Sequence, residues 1–447
     1  MVWRIERVPL RVAQGEVSMN KKSKIFSLGL MILFLSMPLY MSYLPASQEL
    51  GIYFQDTPGI RGFFLWIPQW LVWAGLGQQA ASKLYLFIMN VLTCLISYGC
   101  FDKMVSGKVS ALAGSICYSF SVYSIYIRYD AGSMGEMAAY AMLPLCLYGF
   151  YGVYTSQQRQ GIWKGIGWMM AGGVGLIYAH IPVALIVLAF LILGCILMGK
   201  KSLQRMRPLV LTMGLGGSVL LGLPVLVPYM QAVSNGIFYI HDNELFTGRG
   251  LEIAELLTAF PVKVTAMEGN IIEGMVSYVP LGLPAVVSLV VYVAGVCLGA
   301  TSTDDRKGKI KLMKRLLIIV GVSIMLSFRI FPWNTLLARL PGSVGGGIRT
   351  GLEHIGYPHR FLLIAILLLA FLAALLGQRV EEWATEKHGE HKELILGAFL
   401  GIVIALNVFS GVYYMNNLLY MMPMEDSITA IRDSWWLESE YLLYISK

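Results

Sequence analysis

The feature that most constrains this chain is a succession of apolar runs, each about as long as a bilayer is thick. A helix rises about 1.5 Å per residue and a hydrocarbon core is about 30 Å thick, so a span needs roughly 20 apolar residues, or about 17 at the short end. On that basis helices are expected near 25–44, 84–101, 109–127, 137–154, 166–182, 183–199, 208–230, 276–299, 316–332, 361–377 and 394–414, about eleven in all. The stretch 166–199 is one unbroken apolar run, too long for a single span. It is expected to divide at His180-Ile181-Pro182, because proline interrupts a helix. The fold class that follows is all-α: a polytopic membrane helix bundle. Composition excludes the alternatives. Only 13% of residues are charged and 57% are hydrophobic, against ~25% and ~45–50% in soluble domains. Such a chain cannot cover a soluble surface with polar groups. A soluble enzyme, a disordered protein and a nucleic-acid-binding domain are therefore ruled out, despite a net charge of +8.

The basic residues set an expected orientation. Segments 21–24, 102–108, 157–164, 200–207, 305–315 and 378–393 are rich in Lys and Arg and alternate with less basic loops. Placing them in the cytoplasm puts the N-terminus inside and the C-terminus outside the cell membrane. The excess positive charge is then mostly a sign of orientation and names no ligand. Residues 1–24 read as a cytoplasmic tail, with Met19 the expected true start, since MNKKSK directly precedes the first apolar run. Residues 25–414 form the transmembrane domain, and 415–447 an extracytoplasmic tail that reads as truncated. The run after Lys24 lacks a small-residue cleavage site and is expected to stay as a helix. Segment 62–77 is Trp-rich with Pro68 at its middle, and Trp favours the water–lipid boundary; it is expected to be an interfacial or re-entrant helix on the outer face. All six cysteines lie inside apolar runs and none has metal-ligand spacing, so they read as small packing residues without disulfides.

The spans themselves carry little chemistry. Asn90 and Asn407 are the notable polar residues within helices, and interhelical hydrogen bonding accounts for both. No chain of buried Asp, Glu or Lys suggests an ion path. Glycine-rich runs such as MMAGGVGL read as surfaces of close helix packing. Any site is therefore expected on the outer loops, in three places. The hairpin from Tyr126 to Glu136 joins two spans through Arg128, Asp130, Gly132 and Gly135. Glu136 falls in the first turn of the following helix, where a carboxylate meets the positive dipole end. Two roles are open to Arg128: pairing with Glu136 across the hairpin, or presenting its guanidinium to a phosphate at the membrane surface. The second place is Gly345-to-Phe361, where Arg349, His354, His359 and Arg360 cluster ahead of a helix. A cation at a helix start gains nothing from the dipole, so the partner of Arg360 is either an anionic headgroup or lipid-linked phosphate, or ordinary phospholipid at an interfacial anchor. The third is Asp56 in the first outer loop, which is a general base, a metal ligand or a plain turn former. The long loop 231–275 carries several acidic residues without metal spacing and reads as a solvated face.

Segments FFLWIPQWLVWAGLGQQAASKLYLFIMNVLTCLISY and YIRYDAGSMGEMAAYAMLPLCLYGFYG, with IYAHIP and YPHRFL further on, resemble the bacterial YfhO-like multispanning membrane proteins. These are also labelled as carrying a 6-pyruvoyl-tetrahydropterin-synthase-related membrane domain. That family in turn resembles glycosyltransferases of the GT-C type, polytopic enzymes that take a sugar from a polyprenyl-phosphate carrier on the outer face. The resemblance implies a GT-C-like bundle with Asp56 as the catalytic carboxylate. Arg128 and Arg360 would contact the donor phosphate, assisted by His359, and Glu136 and Arg349 belong to the same substrate-binding set. A divalent metal ion bridging Asp56 and the phosphate fits that chemistry, with one carboxylate to support it and no metal-ligand cluster in the sequence. The implied partners are membrane lipid and a polyprenyl-phosphate-linked sugar donor. Two other function classes stay open: a non-enzymatic component of envelope polysaccharide assembly, favoured by the short first loop, and a lipid-linked substrate transporter or flippase.

Overall fold

The structure is a computed structural model, and it describes residues 21–37, 63–130, 133–156, 158–204, 206–234, 250–253, 256, 281–298 and 304–421. Asp56 lies outside them, as do most of the first outer loop, the long loop 231–275 and the C-terminal tail. Among the described residues there is no strand; one isolated bridge joins Leu251 to Phe328. Nearly everything else is helix, joined by short turns and irregular connections, as expected where lipid offers the backbone no hydrogen-bond partner.

The chain opens with α1 (Lys21–Leu35), α2 (Phe63–Trp73) and α3 (Gln78–Met104). Helices α4 (Lys108–Ser119) and α5 (Val122–Ile125) follow, the latter running into a π-turn at Tyr126–Asp130. Next come α6 (Met134–Thr155), α7 (Arg159–Ala179), α8 (Ile181–Met198) with a 3-10 turn at Gly199–Lys201, and α9 (Arg207–Ser234). The second half holds α10 (Leu283–Leu298), α11 (Asp304–Ser327), α12 (Trp333–Ala338) and α13 (Gly342–Ile355). A 3-10 turn at Pro358–Phe361 then leads into α14 (Leu362–Lys387), and a 3-10 turn at Gly389–His391 into α15 (Lys392–Met421).

A helix stands on each segment that the sequence marks as a span, as far as the described residues reach. Fewer of them are long and apolar enough to cross a bilayer. Six meet that standard: Ala80–Met104, Met134–Thr155, Ile181–Lys201, Arg207–Ala232, Pro358–Lys387 and Gly389–Tyr414. A seventh is gained if the pair Lys108–Ser119 and Val122–Tyr129, bent by 51°, is one broken span. The remainder of the expected eleven fall short for identifiable reasons. Within the described residues the apolar parts of α1 and α10 are only Ile25–Leu35 and Leu283–Ala294. Helix α7 is diluted by glycines and by Arg159 and Lys164, and α11 carries Lys311, Lys314 and Arg315 against its apolar half. Helix α2, not one of the eleven but expected to be interfacial or re-entrant, has 11 residues, about 17 Å at helical rise, which is too short to cross.

Helix α14 forms the centre. Its leucines and alanines are buried continuously from Leu362 to Ala374, and 83% of the most apolar window of its span is buried, against 28% in the spans of α9 and α15. The outer faces of α9 and α15 expose Leu220, Leu221, Ile402 and Phe409, the side chains that lipid would cover. Close packing in the other half is made by glycine. A Cβ at Gly149 of α6 would lie 2.3 Å from the Met169 nitrogen of α7, and one at Gly172 of α7 would lie 2.7 Å from the Cys146 nitrogen of α6. Small residues let helix backbones touch, and in lipid this contact replaces the hydrophobic drive that water would supply. The chain breaks between α7 and α8 at His180, whose Nδ1 accepts from the Val183 amide at 3.3 Å and caps α8, with Pro182 in its first turn.

Candidate functional site

The hairpin singled out in the sequence is built by a series of local backbone devices. After α4 ends, Ser121 Oγ accepts from the Ser124 amide at 3.1 Å and starts α5. Ser124 Oγ in turn donates to the Ser119 carbonyl at 2.7 Å and fastens the bend. The π-turn then adds a residue to one helical turn, a distortion that often marks functional segments. It turns Arg128 inward, and the side chain is fully buried.

Arg128 is held by neutral acceptors. Nε donates to Asn90 Oδ1 at 2.8 Å and Nη2 to Thr93 Oγ1 at 2.8 Å. Nη1 donates to the Ser124 carbonyl at 2.7 Å and to Ser124 Oγ. The Tyr140 ring lies 5.5 Å from the guanidinium carbon, within cation–π range. Asn90 extends the network, donating to Ser36 Oγ at 3.0 Å and to the Tyr129 hydroxyl at 3.2 Å, while Tyr129 donates to the Leu35 carbonyl at 2.6 Å. One arginine and one asparagine therefore bind α1, α3 and the hairpin together. The expected interhelical role of Asn90 is realised here.

Glu136 takes a different arginine. It accepts from the Tyr123 hydroxyl and from Arg360 Nε, the latter at 3.3 Å, in an ion pair that is almost completely buried. Arg360 Nη1 donates to the Ile355 carbonyl, and the Tyr357 ring lies 5.1 Å from the guanidinium carbon. Gly356 makes that geometry available: its φ of 76° lies in the left-handed region and turns the chain back over Arg360. His359 is buried, edge-on to Tyr126 at 5.6 Å and 5.2 Å from Tyr357 between ring centroids. His180 completes the group. A Cβ on Gly135 would lie 2.9 Å from the Ala179 carbonyl and 3.1 Å from His180 Cδ2, so the start of α6 reaches the α7–α8 break only because residue 135 has no side chain. The charges of both Arg360 and Glu136 act on His180.

Two buried polar nests result, Arg128–Asn90–Thr93–Ser124 and Glu136–Arg360–Tyr123 with His180 and His359 beside it. Stacked tyrosines join them: Tyr140 lies under Arg128, Tyr123 bonds Glu136, and their centroids are 6.4 Å apart. Of the residues expected from the sequence, Glu136, His359 and Arg360 come together. Arg128 sits in the neighbouring nest, where its hydrogen bonds go to the neutral groups of Asn90, Thr93 and Ser124 and not to Glu136. Arg349 is exposed on α13, outside both nests, and Asp56 falls outside the described residues. Tyr123, Ser124, Thr93 and His180 were not anticipated in these roles. Asn90 and Thr93 could have been found as a polar pair three residues apart, hence on one helix face. His180 could not, because its partners lie far along the chain. Among the described residues no group of three or more His, Cys, Asp or Glu side chains is placed to hold a metal ion.

The long apolar helices fit an integral, multi-pass membrane protein. No family model and no curated protein matches the chain.

Proposed function

We propose that this chain is a GT-C-like glycosyltransferase of the bacterial cell membrane, taking a sugar from a polyprenyl-phosphate carrier and passing it to a cell-envelope acceptor. The observation that carries the reading is the meeting of Glu136 with Arg360, which are 224 residues apart in the chain. It holds an oriented, buried guanidinium, next in the chain to His359, against the hairpin that bears the family resemblance. Two nitrogens of Arg360 are fixed, by Glu136 and by the Ile355 carbonyl, so the planar fork is pre-organised for an anion's oxygens. In this reading the Glu136 carboxylate occupies the place that a donor phosphate would take, and phosphate entry exchanges one anion for the other. Asp56 would act as the base that deprotonates the acceptor hydroxyl. A divalent ion, if the reaction uses one, would bridge Asp56 and the phosphate as a Lewis acid.

A second reading has its own observation. The hydrogen-bonding groups of Arg128 are directed into the protein, as a purely architectural arginine requires. This favours a non-enzymatic component of envelope polysaccharide assembly. The deciding experiment compares Asp56→Asn and Arg360→Lys, each confirmed by immunoblot to be inserted at wild-type level, with a deletion strain. Under the enzymatic reading deletion removes an envelope sugar, Asp56→Asn reproduces the loss, and Arg360→Lys reproduces it in part. Normal glycans in both inserted variants, with altered glycans in the deletion, leave the non-enzymatic reading. Unchanged glycans in the deletion with altered lipid asymmetry would point to transport.

A further inference from the structure

One end of the bundle gathers cations from two distant parts of the chain. The turn after α8 supplies Lys201, the start of α9 supplies Arg207, and the middle of α11 supplies Lys311 and, one turn on, Arg315. Arg315 Nη1 reaches Met198 Sδ at 3.2 Å, which seats α11 against the last turn of α8, three residues before Lys201. Arg207 Nη1 donates to the Lys201 carbonyl at 3.2 Å, which seats the start of α9 on the same turn. Among the described residues, the charged neighbours that act on Lys201 are Arg315, Arg207 and Lys311, all of them positive. Holding like charges together costs free energy that an anion would recover.

The surroundings say what kind of anion. Arg207 spends its guanidinium on backbone carbonyls of Lys201, Val153 and Tyr154 and so acts as the floor. Lys311 is exposed, while Lys201 and Arg315 are partly buried, so their donors are reachable from outside. Beside them the surface is apolar and open: Ile196, one turn before Lys200, is 68% exposed, and Leu203 is 79% exposed. A soluble anion has no use for such a border. A lipid needs both parts, cations for its phosphate and apolar side chains for its acyl chains, and basic pockets between membrane helices recognise anionic headgroups in this way.

We infer that Lys201, Lys311 and Arg315 form a binding site for the phosphate of an anionic phospholipid, with Ile196 and Leu203 against its acyl chains. The site is independent of glycosyl transfer and holds whichever function the protein serves. The test uses the full chain purified in detergent, with native mass spectrometry and thermal unfolding read after adding phosphatidylglycerol, phosphatidylcholine or soluble glycerol phosphate. Saturable binding and a raised Tm are expected with phosphatidylglycerol, and neither with phosphatidylcholine. Removing one charge, as in Lys311→Gln or Lys201→Gln, is expected to weaken binding about fivefold, since each basic residue near a lipid surface contributes about 1 kcal/mol. Lys387→Gln, at the end of α14, should leave it unchanged. If Arg315→Gln does not fold, Arg315→Lys keeps the charge and should retain binding to within the same factor. Equal binding of the two lipids, an equal loss in Lys387→Gln, or full competition by glycerol phosphate would each overturn the assignment.

Discussion

Burying a guanidinium completely costs several kcal/mol of lost hydration, and Arg128 offsets that cost with four hydrogen bonds and the Tyr140 ring. Its removal should therefore be felt as stability. Arg128→Ala leaves a cavity and strands the acceptors of Asn90, Thr93 and Ser124, and should destabilise the protein by about 2–4 kcal/mol in detergent unfolding. Arg349→Ala, at an exposed position, should stay within about 0.5 kcal/mol. A wild-type Tm for Arg128→Ala would refute the architectural role. The ion pair is tested separately. Glu136→Gln leaves the Arg360 charge buried without its carboxylate and should cost about 3–5 kcal/mol. Adding Arg360→Met to that variant removes the orphaned charge and should recover a substantial part of the loss, so that a double-mutant cycle gives a non-zero coupling. Additive losses would mean that the contact between Glu136 and Arg360 carries no energy. The sequence drew attention to this hairpin and left two roles open to Arg128, pairing with Glu136 or meeting a phosphate at the membrane surface. Arg128 and Glu136 are eight positions apart, yet the π-turn sends one inward and leaves the other to a residue from the second half of the chain.

Among the elements, the α6–α7 pair shows how composition becomes geometry. Gly149 and Gly172 stand where a Cβ would collide with the facing backbone, whereas a Cβ on Gly167 would meet nothing within 4 Å. Gly149→Ala should force the two helices apart and destabilise by about 1–3 kcal/mol, as overpacking does. Gly167→Ala should change stability by no more than about 1 kcal/mol, the scale of helix propensity. Thermal unfolding of the two variants side by side distinguishes them, and equal effects would dismiss the glycine contact. That the glycine-rich runs serve packing was legible in the sequence; which glycines face a partner was not. The break at His180 was legible too, because Pro182 writes it into the local chain.

For the whole molecule the question is which surface meets lipid. Leu363 of α14 is fully buried and Leu220 of α9 is 66% exposed. Leu363→Ala should cost about 2–5 kcal/mol, the usual cost of a core truncation, whereas Leu220→Ala should cost less than about 0.5 kcal/mol, since lipid fills the space. Similar losses at the two positions would mean that the α9 face is covered by protein.

By itself the sequence determined the class of the molecule. Too little charge for a soluble surface, and apolar runs of bilayer length, leave only a helical membrane bundle, because backbone polar groups in lipid must bond within their own segment. It also placed the break at His180, which Pro182 dictates locally. The tertiary structure decided what periodicity cannot carry: which helix is central, which glycines touch, and which arginine meets Glu136. Those outcomes depend on contacts between separate elements, from 20 positions apart for Gly149 and Met169 to 224 for Glu136 and Arg360, fixed by how rigid helices fit together and not by any local preference of the chain.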